Sequence, residues 1–514
     1  ADFDVNISEN GQTYRYLINN AEFESYIKIV KVDSETGKTI PYEGAGFEIY
    51  DSNGQKISMT FSYPTPTTID TFYTNSEGYL ITPEVLPYGE YSLVEVQAPY
   101  GYALDKTPVA FSVSSENAEK ENSLTIVKVV KQNTAQKGKI SVRKTGDIFT
   151  SVATASSAYT NENGEMIVNP TTYTPVFADG DLSDAIFQVI AVEDIVTLDR
   201  TTRAYAGDVV SEITTDENGY AETEPLYLGK YEVREIKAPY GYVLNNEPKD
   251  VELTYAGQEF EVRDTVNTAF ENEYQSVRIS LSKVMENDEL FGIGNNNEYL
   301  SVRFGLFAAE DIQAADGTVI PADGLLSEVL LDENMTAKFD VQIPFGRYYV
   351  QEIATDEHYV LNGEKYLVNF EYMGQDIQNV DIDCGQFVNL LKRGRIEGHK
   401  VDDKSEPLEN AVFGLFTADC VKFSRDTAIM TVTSDENGCF EFDEIPYGEY
   451  VVHEIEAPTG YILSGESYPV TVCEDGETIT IRTVNKPITV EVSKVDVYGE
   501  ELIGADMQLE NADG

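Results

Sequence analysis

The 514-residue sequence has no tryptophan and is poor in cysteine, histidine and basic residues. Four cysteines are too few for a disulfide scaffold, and three scattered histidines, His358, His399 and His453, do not form the spacing of a metal centre. Lys and Arg number 36 against 90 Asp and Glu, giving a net charge of −54 that repels phosphate groups. We therefore expect no metal, no cofactor and no nucleic acid partner.

Long apolar runs are also missing, since none approaches the roughly 20 residues that a membrane helix needs. The start at Ala1 has no basic or apolar leader region. Apolar residues make up 41% of the chain, with 33 Tyr and 23 Phe beside many Val, Ile and Thr, and they nowhere repeat at helical spacing. These features predict an all-β protein of several domains with no membrane insertion in this segment.

A block of 17 residues recurs four times along the chain. Its first copy reads L-P-Y-G-E-Y-S-L-V-E-V-Q-A-P-Y-G-Y, and the copies occupy residues 86–102, 226–242, 343–359 and 445–461. Each copy opens with a turn around a glycine and continues as an alternating strand. In three copies Ala-Pro then ends the strand, because proline cannot donate to a ladder.

Two further motifs precede this block. A turn motif lies near Gly78, Gly219, Asn334 and Gly438, and we interpret it as a hairpin turn because the spaced acidic ligands of a calcium loop are absent. A lysine-containing strand followed by a small or polar residue two before an apolar one opens each repeat. Its copies pair Lys31 with Phe47, Lys144 with Phe187, Lys283 with Phe304, Lys400 with Phe413 and Lys494 with Met507.

Short strands, regular turns and no helical pattern predict β-sandwiches arranged in tandem. The boundaries we expect are 25–134 for repeat 1, 135–273 for repeat 2, 274–390 for repeat 3 and 391–486 for repeat 4. Residues 1–24 and 487–514 are interpreted as the closing strands of a preceding repeat and the opening strands of a following one. Repeat 2 carries an insertion at about 148–181, interpreted as a long loop or hairpin.

Strand alternation places a charged pair on the core side of each repeat. Lys283, for example, shares its face with Ile279 and Leu281, because alternate residues of a strand point the same way. The same holds for Lys31, Lys144 and Lys494, and for the glutamates of the 17-residue block, Glu95, Glu235, Glu352 and Glu454, while Lys400 has fewer apolar neighbours to argue from. Buried charges are costly unless paired, so the alternatives are a buried ion pair, a misjudged strand face or a reaction.

An asparagine completes the pattern at the end of each repeat. Asn133, Asn272 and Asn389 each stand 11 residues before the next lysine, Asn485 stands 9 before Lys494, and Asn20 stands 11 before Lys31. Asparagine is depleted in strands, so strand propensity does not explain its recurrence. Each asparagine therefore ends the last strand of a repeat whose first strand holds the lysine.

Together these motifs resemble the collagen-binding-protein B-type (SpaA-type) domains of Gram-positive pilins and adhesins. The resemblance implies Ig-like (inverse Ig, prealbumin-like) sandwiches, each closed by a self-formed isopeptide bond. The implied bonds are Lys31–Asn133, Lys144–Asn272, Lys283–Asn389 and Lys400–Asn485, assisted by Glu95, Glu235, Glu352 and Glu454. Burial would keep the lysine neutral and the glutamate protonated, and the glutamate would polarise the asparagine carbonyl. Repeat 3 departs from the family in having Ala354–Tyr359 (A-T-D-E-H-Y) in place of A-P-x-G-Y.

These expectations favour a structural stalk or pilus shaft on a Gram-positive cell surface, with neighbouring repeats as partners and no enzymatic turnover. The alternative is an adhesin that binds a host protein or glycan, for which the 148–181 insertion is the candidate surface. A glycosidase with paired carboxylates is disfavoured, because turns, solvated faces and the lysine sites account for the acidic residues. No L-P-x-T-G sorting signal occurs, so the anchor is expected outside this segment. Asn20 and Lys494 are expected to stay unreacted.

The four cysteines, Cys384, Cys420, Cys439 and Cys473, are expected to be incidental or to form at most one disulfide. Cys439 and Cys473 alternate out of phase with the neighbouring apolar residues, which places both on an outer face. A Cys439–Cys473 bridge is therefore the one pairing that the pattern leaves open.

Overall fold

A computed structural model describes residues 4–16, 21–62, 65–160, 166–508 and 510. Within them the regular structure is β-strand apart from one 3-10 turn at Glu298–Ser301, so the all-β prediction is confirmed. The chain divides into two compact units. The first contains Ala1–Ile148, Phe177–Gln275 and Tyr372–Gln378, and the second contains Phe149–Val176, Ser276–Glu371 and Asn379–Gly514.

The strands follow the repeats closely. Repeat 1 contains β1 (Glu24–Asp33), β2 (Gly46–Asp51), β3 (Met59–Phe61), β4 (Thr67–Ile69), β5 (Phe72–Tyr73), β6 (Tyr79–Ile81), β7 (Leu86–Pro87), β8 (Gly89–Gln97), β9 (Val109–Val113), β10 (Ala118–Glu121) and β11 (Leu124–Asn133). Repeat 2 contains β12 (Lys137–Gly138), β13 (Ile140–Ala155), β14 (Ala158–Thr160), β15 (Met166–Val168), β16 (Thr172–Asp181), β17 (Ile186–Ala191), β18 (Ile195–Val196), β19 (Thr202–Ala204), β20 (Val209–Thr214), β21 (Tyr220–Glu222), β22 (Leu226–Tyr227), β23 (Gly229–Lys237), β24 (Lys249–Leu253) and β25 (Val266–Asn272).

The later repeats follow the same plan. Repeat 3 contains β26 (Ser276–Met285), β27 (Arg303–Ala308), β28 (Ile312–Gln313), β29 (Val319–Ile320), β30 (Leu325–Leu330), β31 (Thr336–Asp340), β32 (Gly346–Ala354), β33 (Tyr366–Phe370) and β34 (Asn379–Asn389). Repeat 4 contains β35 (Arg393–Asp402), β36 (Val412–Thr417), β37 (Met430–Thr433), β38 (Cys439–Pro446), β39 (Gly448–Glu456), β40 (Ser467–Val472) and β41 (Thr478–Asn485).

Each repeat is built from two sheets of constant order. In the lysine sheet the first strand lies between the strand of the turn motif and the last strand, as in β6-β1-β11, β21-β13-β25, β31-β26-β34 and β38-β35-β41. The glutamate strand lies inside the other sheet, as in β5-β2-β8-β9, β20-β17-β23-β24, β30-β27-β32-β33 and β37-β36-β39-β40. Lysine and asparagine therefore come from one sheet and the glutamate comes from the other.

Apolar residues at alternate positions form the core between the sheets. In repeat 1 the core includes Ile27 and Ile29 of β1, Phe47 and Ile49 of β2, and Leu93 of β8. The equivalent positions are filled by Ile140, Val142, Phe187, Val189 and Val233 in repeat 2, and by Ile396, Phe413, Leu415 and Val452 in repeat 4. The alternation that fills the core is the same one that turns the lysine and the glutamate inward.

The 148–181 insertion forms strands rather than an open loop. The long β13 and β16 lie beside each other, and β14 pairs with β15 as a short antiparallel hairpin. Within the second unit, Val152 donates its backbone N–H to Thr318 Oγ1 at 2.8 Å and Thr172 pairs with Leu325. The insertion thus extends the sheet structure around repeat 3.

The segments at the two ends have little regular structure where the structure describes them. Residues 4–16 and 21–23 contain no strand, and Asn20 lies outside the described residues. Residues 488–508 and 510 contain a single isolated bridge, Val495–Glu501, instead of the opening strands expected there, and Lys494 is exposed. These segments contain no counterpart of the glutamate strand against which an opening or closing strand could pack. In the described part of the chain no helix has the length and apolar character needed to cross a membrane.

Candidate functional site

Parallel pairing of the first and last strands brings each lysine next to its asparagine. Lys31 of β1 is in register with Lys131 of β11, and Asn133 follows two residues later. The offset is the same in the other repeats, where the register partners of Lys144, Lys283 and Lys400 are Phe270, Phe387 and Thr483, each two residues before the asparagine. Residues two apart on a strand point to the same face, so both side chains enter the core.

The structure brings all twelve predicted residues of the four complete repeats together in four buried clusters. Every lysine, glutamate and asparagine of these clusters is at most 3% exposed. The lysine Nζ lies near the glutamate Oε1 in each, at 2.8 Å for Lys31–Glu95, 3.3 Å for Lys144–Glu235, 2.8 Å for Lys283–Glu352 and 3.1 Å for Lys400–Glu454. Lys283 Nζ also donates to Asn389 Oδ1 at 2.6 Å, and Lys144 and Lys400 make the same bond to Asn272 and Asn485.

The glutamate contacts the amide nitrogen of the asparagine. Asparagine Nδ2 donates to Oε1 at 3.0 Å in Asn272–Glu235, and at 2.9 Å in both Asn389–Glu352 and Asn485–Glu454. In repeat 1 Asn133 Nδ2 donates to Oε2 of Glu95 at 2.7 Å. The carboxyl group therefore lies against the amide nitrogen rather than against the carbonyl oxygen that the family resemblance led us to expect.

A backbone N–H ten residues further along the chain holds the other side of each glutamate. The Oε2 atoms of Glu95, Glu235, Glu352 and Glu454 accept from the backbone N–H of Asp105, Asn245, Asn362 and Ser464 at 2.8–3.1 Å. The four donors differ in side chain, so the sequence carries no signal for this contact. It fixes the carboxyl orientation, as a supporting hydrogen bond does in a preorganised site.

A phenylalanine covers each lysine from the glutamate sheet. The ring centroids of Phe47, Phe187, Phe304 and Phe413 lie 5.5–6.0 Å from the lysine Nζ atoms. Each ring is also the register partner of the glutamate, next to a shift in strand register. The apolar residue of the opening motif is therefore the wall that keeps water from the lysine.

Burial shifts the ionisation of these groups toward their neutral forms. Desolvation lowers the pKa of Lys31 and Lys144 to about 8, although the paired glutamates oppose the shift. Desolvation also lowers the pKa of Lys283 and Lys400 and raises that of Glu235. A neutral amine is a nucleophile, whereas an ammonium is not.

The turn motif has a role that sequence analysis missed, because it holds the backbone of the lysine. The carbonyls of Gly78, Gly219, Met335 and Gly438 accept the backbone N–H of Lys31, Lys144, Lys283 and Lys400 at 2.7–3.0 Å. Asn75 or an aspartate, Asp216, Asp332 or Asp435, closes each turn by accepting two backbone N–H groups. These oxygens are thus used as turn caps, as the hairpin interpretation expects.

Glycine is required in this turn for two reasons. Gly219 has a φ of +66°, and a Cβ there would lie 2.4 Å from the carbonyl oxygen of Lys144. We expect Gly219→Ala to destabilise repeat 2 by about 3 kcal/mol, from left-handed strain plus the clash. Gly207→Ala is the matched control, because Gly207 has a φ of +90° with open space around it, and should cost only about 1 kcal/mol.

Urea titration followed by hydrogen exchange of repeat-2 peptides measures both variants. Equal losses for Gly219→Ala and Gly207→Ala would show that contact with the lysine strand adds nothing. Repeat 3 already has a residue with a side chain at this position, since Met335 has a φ of +59°.

Repeat 1 contains a second buried lysine that the structure separates from the asparagine. Lys131 is 2% exposed, and its Nζ donates to Asp105 Oδ2 and to the Thr107 carbonyl, both at 2.7 Å. Although burial opposes it, the hydrogen bonds from Lys131 and Thr107 lower the pKa of Asp105 to about 2. Lys131 therefore has a full-time carboxylate partner, which leaves Lys31 as the lysine next to Glu95.

The remaining candidate residues form no second site. Cys384 is buried and all four cysteines are free thiols, so the Cys439–Cys473 disulfide that the sequence left open is not formed. Cys439 Sγ lies 3.4 Å from His399 Nδ1 instead. Among the described residues no group of three or more His, Cys, Asp or Glu side chains could hold a metal ion.

Comparison with known proteins identifies the fold family. The profile described as "SpaA: Prealbumin-like fold domain" matches residues 25–128, 177–267 and 394–487, more than half of the chain. A curated relative, the trypsin-resistant surface T6 protein of Streptococcus pyogenes serotype M6, is 31% identical over 90 residues, which are 18% of this chain and 16% of that protein.

Solved structures with a similar chain include bacterial surface proteins. The TIE protein of Bacillus anthracis is 19% identical, with 92% of this chain and 76% of that chain covered and a TM-score of 0.49. The minor pilin GBS52 of Streptococcus agalactiae is 18% identical, covering 43% and 100%, with a TM-score of 0.20. The major pilin subunit BcpA of Bacillus cereus is 14% identical, covering 90% and 100%, with a TM-score of 0.19. On the strength of the profile match over three of its repeats, the chain belongs to the SpaA family of prealbumin-like fold domains.

Proposed function

We propose that this chain is a stalk or shaft segment of a Gram-positive surface protein, made inextensible by four intramolecular isopeptide bonds. The observation that carries the proposal is the repetition of one buried Lys–Glu–Asn geometry, with the same two-residue strand offset, in all four repeats. Four independent buried ion pairs would be costly without a reaction to remove the charges. The domain boundaries given above follow from the same proposal.

The bond forms between lysine Nζ and asparagine Cγ. The neutral amine attacks the amide carbon, and a proton from Nζ passes to the glutamate. In repeats 2 to 4 the same oxygen, Oε1, lies near both Nζ and the amide Nδ2, as in Glu352 with Lys283 at 2.8 Å and Asn389 at 2.9 Å. The glutamate can therefore return the proton to Nδ2, which leaves as ammonia while the carbonyl reforms. The reaction occurs once per repeat and needs no cofactor, because folding supplies the proximity.

The neutral pair and the ion pair contain the same number of protons. Moving one proton from the lysine to the glutamate creates the reactive form without exchange with solvent. Desolvation favours this transfer, because it destabilises both charged forms together. The lowered lysine pKa values and the raised pKa of Glu235 support this direction.

The position of the bond determines its mechanical effect. Tension that enters repeat 1 at Glu24 runs along β1 to Lys31, crosses to Asn133 and leaves the repeat at the end of β11. Residues between the two bonded side chains then carry no load. The same path applies to each repeat, so a pulled array would keep its folded length.

The insertion in repeat 2 supports a structural role more than a free binding loop. The carbonyls of Phe149 and Thr150 accept the backbone N–H of Ala315 and Asp316 at 3.2 and 3.1 Å. Its strand edges are therefore engaged by residues of the same unit. The high negative charge suits an extended extracellular chain that repels itself and neighbouring anionic surfaces.

Intact-mass spectrometry of the unreduced chain tests the proposal. We expect a mass below the sequence mass by four ammonia molecules, and peptide mapping should recover the four cross-linked pairs. Lys31 should be linked in repeat 1 while Lys131 remains free. A mass equal to that of the sequence would refute all four bonds, and a partial deficit would identify the repeats that lack one.

A further inference from the structure

Two glutamines interlock at the boundary between repeats 1 and 2, within the first compact unit. Gln136 follows Asn133 by three residues and is 1% exposed. Its Nε2 donates to the carbonyls of Gly257 and Phe260 at 2.8 and 2.7 Å, and its Oε1 accepts the backbone N–H of Ala256 at 2.8 Å. Both amide hydrogens and the amide oxygen are thus bonded to one loop of the next repeat.

The loop returns the contact through its own glutamine. Gln258 Oε1 accepts the backbone N–H of Ala98 at 2.9 Å, and the Gln258 carbonyl accepts that of Leu104 at 2.8 Å. Ala98 and Leu104 flank the A-P-Y-G-Y turn of repeat 1. The rings of Tyr100 and Tyr255 add a contact at 4.6 Å between centroids. Each side of the boundary therefore contributes one glutamine that holds the backbone of the other side.

The same set of bonds occurs a second time in this unit. Gln275 Nε2 donates to the carbonyls of Gly374 and Ile377 at 3.1 and 2.6 Å, and Gln275 Oε1 accepts from Met373 at 2.8 Å. Gln375 accepts the backbone N–H groups of Ala238 and Leu244, both at 2.9 Å. Both loops read Y-x-G-Q, at 255–258 and 372–375, so the arrangement has a sequence signature.

A separate ionic contact joins the same two repeats. Arg203 of repeat 2 lies 3.0 Å from Asp33 and 2.8 Å from Glu35 of repeat 1, and its side chain is 9% exposed. Thr36 donates to Asp199 at 2.6 Å. A covalent linker alone would let two domains bend and rotate, whereas two further attachments at separate places oppose both motions.

We propose that Gln136 and Gln258 form an inter-repeat clamp that makes repeats 1 and 2 move as one body, and that Gln three residues after the strand-ending asparagine, followed by Y-x-G-Q in the next repeat, encodes this joint. The clamp goes beyond the isopeptide bonds, which act within repeats. It is not a general property of the fold. Repeat 4 has Lys392 and Glu477 at the two positions, and Glu477 accepts the backbone N–H of Cys473 in its own loop at 3.0 Å.

Hydrogen exchange on the full chain separates a cooperative clamp from a set of independent bonds. Gln136→Ala removes the acceptor of Ala256 but leaves the acceptors of Ala98 and Leu104 in place. If the clamp opens as a unit, exchange at Ala98 and Leu104 should nevertheless accelerate about tenfold or more. Gln258→Ala should accelerate exchange at Ala256 in the reciprocal way. Mass spectrometry with fragmentation provides the residue resolution.

Gln132→Ala is the matched control, because Gln132 is an exposed glutamine on the same stretch of chain. It should leave all three amides unchanged. Exchange at the core amides of β1 and β13 verifies that each variant is folded, and intact mass reports the isopeptide bonds independently. Acceleration confined to the amide that lost its acceptor, in both glutamine variants, would overturn the proposal whatever the state of the isopeptide bonds.

Discussion

Replacing Glu454 by glutamine is expected to leave Lys400 and Asn485 unlinked and to lower the stability of repeat 4 by about 4–5 kcal/mol. The magnitude is the chain entropy regained when a cross-link that closes a loop of this length is absent from the unfolded state. Glutamine preserves the volume and hydrogen bonding of Glu454 but cannot carry the proton from Nζ to Nδ2. Intact mass should rise by one ammonia relative to the parent chain, after correction for the substitution.

Glu456→Ala is the control for this experiment. Glu456 lies two residues further on β39, is exposed, and contacts Arg425 at 2.9 Å on the surface. Its removal should leave the mass deficit intact and change stability by less than about 1 kcal/mol. A full set of four bonds in Glu454→Gln would show that the glutamate is not required, and the mechanism proposed here would fail.

Pulling on the two ends of the chain should distinguish linked from unlinked repeats by length. In the parent chain we expect no unfolding step from the four repeats, because the load crosses each one through its bond. Asn133→Ala should release the segment between Lys31 and Asn133, which adds about 350 Å of contour length in a single step. Single-molecule force spectroscopy resolves a step of this size.

The exposed neighbour Gln132 again supplies the control, since Gln132→Ala should leave the force–extension curve without the step. Asn133→Ala removes the amide carbon that Lys31 attacks and keeps Lys31 paired with Glu95 at 2.8 Å, so the repeat still folds before it is pulled. The same long step in the parent chain would mean that repeat 1 is not cross-linked.

The inward direction of the charged residues could be predicted from sequence because strand alternation is a local rule. Lys144 shares parity with Ile140 and Val142, and Glu235 with Tyr231 and Val233, and the structure buries all of them. Repetition made the rule usable, since one inward lysine is ambiguous whereas four are not. The family resemblance added the pairing of each lysine with an asparagine, which alternation alone does not specify.

Contacts between distant strands could not be predicted in this way. The two-residue offset between lysine and asparagine depends on the register of a parallel pair, and register is set by packing of the whole sheet. The backbone N–H of Asn245 that holds Glu235, and the Gly219 carbonyl that holds Lys144, involve groups that every residue possesses. Such groups leave no mark in the sequence.

The sequence by itself determined the all-β class, the four repeats and the inward face of each lysine and glutamate, because these follow from alternation and self-similarity along the chain. Only the tertiary structure decided which oxygen of Glu352 lies between Lys283 and Asn389, how the turn at Met335 holds the lysine strand, and that Gln136 grips the next repeat. Those arrangements depend on how two sheets pack across a core, and packing distances are not a function of spacing along the chain.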